Sequence, residues 1–426
     1  MASMNRRRWL GLTALAGGAV AFALRPAETG APHGAFFTRL GKALREAGLS
    51  QPTLVIDRER LHANAKQVRA NLDRGLALRL VNKSLPSLPL LDEVARLTGT
   101  QRQMVFNLPY LRLLAEQRPD SDVLLGKPFP VAAAAQLLAQ PPRSSFDASK
   151  QVQWLVDSPT RLAQYRDLAR GQRLPLRINL EIDVGLHRGG VPDEATLQQV
   201  IALLHEEPLL RCSGLMGYDA HTEKIPDIGD TRAAARAHVL QTYGARLKAL
   251  QASGLMPVDG QLTLNTGGSP TYRLHRAGGP ANEVAVGSAF VKPTDFDTPL
   301  LADLQSAAWI ATPVLKVQHF MAPNGVEPLG QAAQWWDRNQ RTAHFIHGGH
   351  WLAHPESPAG LQASGLIGQS SNQQLFLGSG RQGLQPDDLV FFRPTQSEAV
   401  LQQFGDIAVV EGDRVVAMWP VFPARG

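Results

Sequence analysis

The chain has a single cysteine, Cys212, among 426 residues, so no disulfide can form within it and no cysteine-rich metal centre is available. Aromatic residues are scarce at 6%, and lysine is rarer than arginine, with 9 lysines among 43 basic residues. The resulting net charge of +6 is scattered along the chain. There is no basic stripe interleaved with aromatics, which argues against a nucleic-acid partner. Internal repeats and low-complexity tracts are missing, and past the N-terminal segment no run is long and apolar enough to span a bilayer. What is present is globular: 44% apolar and 19% charged residues, in a chain long enough to favour two domains.

The N-terminus carries one clear signal. "MNRRRWLGLTALAGGAVAFAL" has a basic start, a mildly apolar segment and small residues after it, as an export signal requires. Arg6 and Arg7, followed by Arg8, Trp9 and Leu10, fit the twin-arginine type and predict a periplasmic protein; a general secretory signal with surplus arginines is the alternative. Cleavage after Ala23, Ala27 or Ala31 fits equally, so residues 1–31 are assigned to signal and linker.

From residue 52 to about 290, short apolar runs alternate with longer amphipathic ones. "TLVID" reads as a strand whose Asp57 caps the helix "RERLHANAKQVRANL", with Leu61, Ala65, Val68 and Leu72 at helical spacing. "LALRLVN", "DVLLG", "VQWLVDS", "LRINLEID", "CSGLMGYD", "QLTLN" and "NEVAVG" continue the alternation. The expected fold is α/β, a (β/α)8 TIM-like barrel over residues 32–300. After residue 300 the texture changes to strands parted by Gly, Pro, Asn and Asp, among them "WIATPVLKVQHF", "RTAHFIHGGHW", "DLVFFRP" and the hairpin "VVEGDRVV". Residues 301–426 therefore read as a smaller, mainly antiparallel β domain.

Chemistry on such a barrel sits at the C-terminal strand ends. Lys83 stands there, at the tip of an apolar run, where a partly apolar pocket would make its amine ready to lose a proton and form a Schiff base. "EIDVGLHRGGV" places Arg188 past another strand, and "GLMGYDAH" ends with Tyr218 and His221. "LTLNTGGSPTY" and "VAVGSAF" offer Thr266, Gly267, Gly268, Gly287 and Ser288, hydroxyls and glycine-flanked amides that can form a nest for an anion. A lysine for an aldehyde, a phosphate cradle, an arginine between them and an aromatic to stack on a ring make a pyridoxal 5'-phosphate site.

From about residue 50 onward the chain resembles the fold-type III pyridoxal-phosphate enzymes, nearest the D-threonine aldolase and D-serine dehydratase branch, whose N-terminal barrel is shared with alanine racemase. "VNKS", "EIDVGLHRGGV", "GLMGYDAH", "TGGSPTY" and "NEVAVGSAF" carry the resemblance. It implies that Lys83 forms the Schiff base with the cofactor and that Arg188 lies beside its phenolic oxygen. Tyr218 or His221 would flank the ring, and Thr266, Gly267, Gly268, Gly287 and Ser288 would hold the phosphate. Where alanine racemase has an arginine facing the pyridine nitrogen, this chain has Ala285, as the aldolase–dehydratase branch does. The resemblance also implies a homodimer, with the barrel of one chain meeting the β domain of the other.

One motif departs from the branch. Its members carry Pro-x-His-x-Cys or Pro-x-His-x-Asp as ligands of a divalent metal, and the matching stretch here is "RPTQSEAV", with Gln396 and Glu398 at those positions. An amide and a carboxylate suit a hard ion weakly, so the metal stays open. "HFIHGGHWLAH" adds His344, His347, His350 and His354, of which His347 is a candidate acid–base. The expected activity is that of a lyase on D-β-hydroxy-α-amino acids, with Lys83, Glu398 and His347 as catalytic candidates. A periplasmic amino-acid racemase or a non-catalytic pyridoxal-phosphate or amino-acid carrier are the alternatives.

Overall fold

The computed structural model describes residues 25–257, 260–398 and 400–423. The proposed export signal lies outside them. The chain divides into two compact units: a barrel unit of Leu54–Ala308, Pro394–Gly412 and Val416–Gly426, and a sheet unit of the chain up to Thr53, Trp309–Arg393 and Asp413–Val415.

Strand β1 (Thr53–Asp57) is "TLVID", buried at every position. The helix Arg58–Asn71 follows, capped by Asp57, whose carboxylate accepts the Arg60 amide at 2.9 Å. Eight strands then close the barrel: β2 (Ala77–Val81), β3 (Arg102–Val105), β4 (Asp122–Leu125), β5 (Val152–Val156), β6 (Leu176–Glu181), β7 (Leu210–Gly217), β8 (Thr263–Thr266) and β9 (Glu283–Val286). β9 pairs in parallel with β2. β1 is not one of the eight, although the alternating pattern makes it look like the first. It pairs in parallel with the late strand Ile407–Glu411 instead, and a strand buried on both faces reads the same in either setting.

The N-terminal end of the barrel is filled by charge. Arg79 on β2, with no exposure, donates to Glu283 Oε1 at 2.6 Å and to Asp122 Oδ1 at 3.1 Å. Arg102 donates to Glu283 at 2.7 Å, and Asn265 to the same carboxylate at 2.8 Å. Burial opposes the charge of Arg79, but Glu283 and Asp122 outweigh it and hold the guanidinium ionised. This network leaves the opposite, C-terminal end of the barrel as the place for a cavity.

In the sheet unit, β10 (Ala308–His319), β11 (Thr342–His347), β12 (Ala353–Ser357), β13 (Gln362–Ala363), β14 (Gln373–Gly378) and β15 (Leu389–Pro394) are mostly antiparallel neighbours. The path runs β13–β14–β11–β10, with β15 paired to β10 and β12. Phe320, Ala343, Leu375 and Leu377 form its core. The helix Ala35–Glu46 belongs here and not to the barrel: its Leu40, Ala43 and Leu44 are buried, and Phe37 packs edge-on against Trp309, with ring centroids 5.7 Å apart. The late chain returns to the barrel unit, where Asp295 donates its amide to the Thr395 carbonyl at 3.1 Å and Ser397, Val400 and Leu401 are buried. Strands β16 (Ile407–Glu411) and β17 (Arg414–Trp419) are adjacent, as a hairpin requires. No helix among the described residues is long and apolar enough to cross a membrane.

Candidate active site

Past β2 the chain makes a tight turn, Asn82–Ser84, that turns Lys83 into a cavity at the C-terminal end of the barrel. Pro86 follows, and the helix Leu88–Thr98 then starts with Pro89 in its first turn. Lys83 Nζ lies 2.8 Å from Glu398 Oε1 and 4.9 Å from the centroid of the Phe106 ring. Glu398 Oε2 meets three hydroxyls, Ser397 at 3.0 Å, Ser288 at 3.4 Å and Ser84 at 3.5 Å. Burial pushes the Glu398 carboxyl up, but the charge and hydrogen bond of Lys83 prevail and hold it below the usual carboxylate range.

Tyr218, just past β7, forms another wall. The Arg188 guanidinium sits over its ring at 4.7 Å from the centroid. Burial pushes the Tyr218 phenol up, with Arg188 opposing. Gly268 approaches this ring so closely that a Cβ there would lie 2.7 Å from Tyr218, and a Cβ at Gly287 would lie 2.8 Å from Ser84. Neither position can carry a side chain without moving the wall. The amides of Gly287 and Ala289 both donate to Ser269 Oγ, at 3.2 and 3.0 Å, so backbone donors converge on this side. Ala285 lines the cavity on β9.

Thus Lys83, Glu398, Arg188, Tyr218, Gly267, Gly268, Gly287 and Ser288 come together around one space. Thr266 does not: its hydroxyl donates to the Gly217 carbonyl at 3.1 Å, tying β8 to β7. His221 opens the short helix His221–Lys224 away from the cavity wall, near Gly185, where its buried Nδ1 has no hydrogen-bond partner. His347 ends β11 in the sheet unit. An adjoining space shares Lys83, Phe106, Arg188 and Glu398 and adds Lys127, Asp157 and Glu181, so its lining carries both signs of charge. Burial raises the pKa of Glu181, against the pull of Arg188.

The sequence does not single out the Ser397 hydroxyl or Asp219. Serines are common and carry no spacing rule, so nothing in the string marks this one. Asp219 stands inside "GLMGYDAH" beside a tyrosine and a histidine that drew the attention.

The residues fit the cofactor that the resemblance implies: an amine held inside the cavity, an aromatic wall, and a cradle of glycines, amides and hydroxyls that an added Cβ would fill. They do not fit a metal. Gln396 is exposed and donates to Asp295 at 2.9 Å, while Glu398 is engaged by Lys83. Among the described residues no group of three or more His, Cys, Asp or Glu is placed to hold an ion.

The sequence matches the family model "Alanine racemase, N-terminal domain" over residues 56–294. The chain belongs to that family. No curated protein sequence is similar enough to count as a relative. Among solved structures, the D-threonine aldolase of Filomicrobium marinum is similar at 17% identity, over 87% of this chain and 95% of its own, with a TM-score of 0.67. D-threo-3-hydroxyaspartate dehydratase from Delftia sp. HT23 matches at 17% identity, over 88% and 97%, also at 0.67. Alanine racemase from Bacillus anthracis matches at 13% identity, over 87% and 98%, at 0.64. At these identities the likeness is one of fold. In the alanine racemase N-terminal domain family, then, this member has a lysine facing a carboxylate at the C-terminal end of its barrel.

Proposed function

We propose that the protein is a pyridoxal-phosphate-dependent lyase acting on D-β-hydroxy-α-amino acids. The observation that carries this reading is the pairing of Lys83 with Glu398 inside a cavity whose β9 wall is Ala285. The cofactor, when bound, supplies an electron sink for the bond broken at the substrate's Cα. Lys83 is the group to hold it, with the Gly267, Gly268, Gly287 and Ser288 side as the anion cradle and Tyr218 and Arg188 along the ring. The mixed charges of Lys127, Arg188, Asp157 and Glu181 at the mouth suit a zwitterionic amino acid.

Glu398 is the acid–base in this reading. Held ionised, it is ready to accept the proton of a β-hydroxyl as Cα–Cβ breaks, releasing an aldehyde and leaving glycine after a proton returns to Cα. In the dehydratase variant Lys83 takes the Cα proton and a protonated Glu398 gives its proton to the departing hydroxide. The low pKa of Glu398 favours cleavage. A racemase needs a second base opposite Lys83 at Cα; Ala285, lining the cavity where the resemblance gives alanine racemase an arginine facing the pyridine nitrogen, favours the aldolase–dehydratase branch instead.

A homodimer exported by the twin-arginine route is part of the same proposal, with His347 as a contribution from the sheet unit of a second copy. The deciding experiment is a panel of D-threonine, D-phenylserine, D-serine and both alanines, given to purified protein with the cofactor. Aldehyde from D-threonine or D-phenylserine supports cleavage, and keto acid from D-serine supports dehydration. Racemised alanine, or no turnover of any substrate, refutes the lyase.

A further inference from the structure

Behind the glycine loop lies a chain of buried hydrogen bonds whose carboxylate, Asp219, does not line the cavity but is tied to the loop that does. Asp219, 3% exposed, directly follows Tyr218. Its Oδ1 accepts the Thr271 hydroxyl at 2.6 Å, and its Oδ2 pairs with His275 Nε2 at 2.8 Å. Thr271, with no exposure, accepts the Gly268 amide on its Oγ1 at 3.1 Å. The next residue of that loop, Ser269, accepts the amides of Gly287 and Ala289. One connected set of bonds thus joins the ends of β7, β8 and β9.

The directions of these bonds follow from the groups. An ionised carboxylate only accepts, so the Thr271 hydroxyl must give it its proton and keep a lone pair for the Gly268 N–H. The Asp219–Thr271 distance is that of a charge-assisted O–H···O⁻ bond, stronger and stiffer than a neutral one. Burying the Asp219 charge is costly without partners, and His275 together with Thr271 supplies them. The loop being held contains Gly267, at φ 69°, and Gly268, the least restrained residues a cradle can have. Left alone they would sample many shapes; tied through Thr271 they have one.

We propose that Asp219 and Thr271 are positioning residues that fix the Gly267–Ser269 loop in the shape that receives the phosphate of the cofactor, with His275 holding Asp219 in place. This rests on the cofactor reading above. It places outside the cavity the residues that decide how tightly a phosphate-bearing ring is held, and it separates them from those that meet the rest of the ring.

The test compares two ligands differing only in the phosphate, pyridoxal 5'-phosphate and pyridoxal, by absorbance titration of wild type, Thr271→Val and Thr271→Ser. Valine keeps the shape of threonine and removes the hydroxyl; serine keeps the hydroxyl. Thr271→Val should weaken pyridoxal 5'-phosphate about tenfold, the scale of one charge-assisted bond, and leave pyridoxal within about twofold. Thr271→Ser should restore phosphate-ligand affinity to within about threefold of wild type. Should Thr271→Val fail to fold, Asp219→Asn makes the same comparison. Equal losses for both ligands would mean a general structural role and overturn the proposal, as would no loss for either. Wild type that binds neither ligand would overturn the cofactor reading itself, a different result from a variant that matches wild type.

Discussion

Lys83 Nζ and Glu398 Oε1 stand 2.8 Å apart although 315 residues of sequence separate them. Their partial burial, with side chains 39% and 32% exposed, places the pair in the cavity and not on an open surface. The pairing is what a Schiff-base lysine with a neighbouring proton acceptor requires, and the first prediction concerns the lysine. Purified protein with pyridoxal phosphate should show a yellow chromophore that borohydride fixes covalently on Lys83. Lys83→Ala should lose both the chromophore and the adduct in mass spectrometry; an adduct that survives would place the reactive amine elsewhere.

Glu398→Gln should keep the chromophore while turnover falls by about a hundredfold or more, the usual weight of a general acid–base. Chelators should leave wild-type turnover unchanged, and Gln396→Ala should alter it by less than about threefold, since its amide is engaged by Asp295. Turnover that disappears with chelator and returns with Mn²⁺ would make Glu398 a ligand and not a base.

The lowered Glu398 pKa has a consequence for the cofactor-free protein. A carboxyl whose folded value lies below its unfolded one stabilises the fold fully above the unfolded value, about 4.3 for glutamate. That contribution is lost as pH falls through the lower folded value. The melting-temperature gap between wild type and Glu398→Gln should therefore be constant from neutral pH down to mildly acid conditions and close below the ordinary glutamate range. Because the pair is partly exposed, the gap should correspond to no more than about 1 kcal/mol. A gap that widens in acid would contradict the assignment.

At the other end of the barrel, Arg79→Met should destabilise the protein by about 3–5 kcal/mol, because Glu283 would keep its charge in a fully buried place with fewer partners. Arg79→Met combined with Glu283→Leu should recover much of that loss. Urea unfolding of both variants measures it, and additive losses in the double variant would show that the two side chains do not act as a pair.

Replacing Arg6 and Arg7 by lysine should leave the precursor in the cytoplasm, read by fractionation with an antibody. Unchanged export would assign the signal to the general secretory route.

The barrel was legible because seven of its eight strands and the helices between them stand out as apolar and amphipathic runs, and because Asp57 marks a helix start that the structure confirms. β3 is only four residues, opens with Arg102 and Gln103, and escaped the pattern, while β1 took its place in the count. Lys83, Arg188, Tyr218 and the glycines could be placed at strand ends by the same pattern. Thr266 and His221 were at the right ends, but their side chains turn to Gly217 and toward Gly185, and side-chain direction past a strand is set by loop geometry that no period encodes. The membership of the helix Ala35–Glu46 in the sheet unit depends on partners such as Trp309, hundreds of positions away, and amphipathicity says that a face is buried without saying against what. Arg79 and Glu283 were hidden for a related reason: each is a lone charge in an apolar run, and only the closure of β9 onto β2 brings them together.

The last strand of the barrel ends at Val286, yet the carboxylate that faces Lys83 comes from a segment that returns to the barrel unit after Pro394. Synthesis runs from the N-terminus, so a nascent chain can complete all eight strands long before its reactive lysine has a partner. A ribosome stalled near residue 300, or a protease that trims the tail, leaves a barrel with an unanswered amine. Assembly of this site therefore waits for the segment that carries Glu398, and a chain that stops short of that residue cannot perform it.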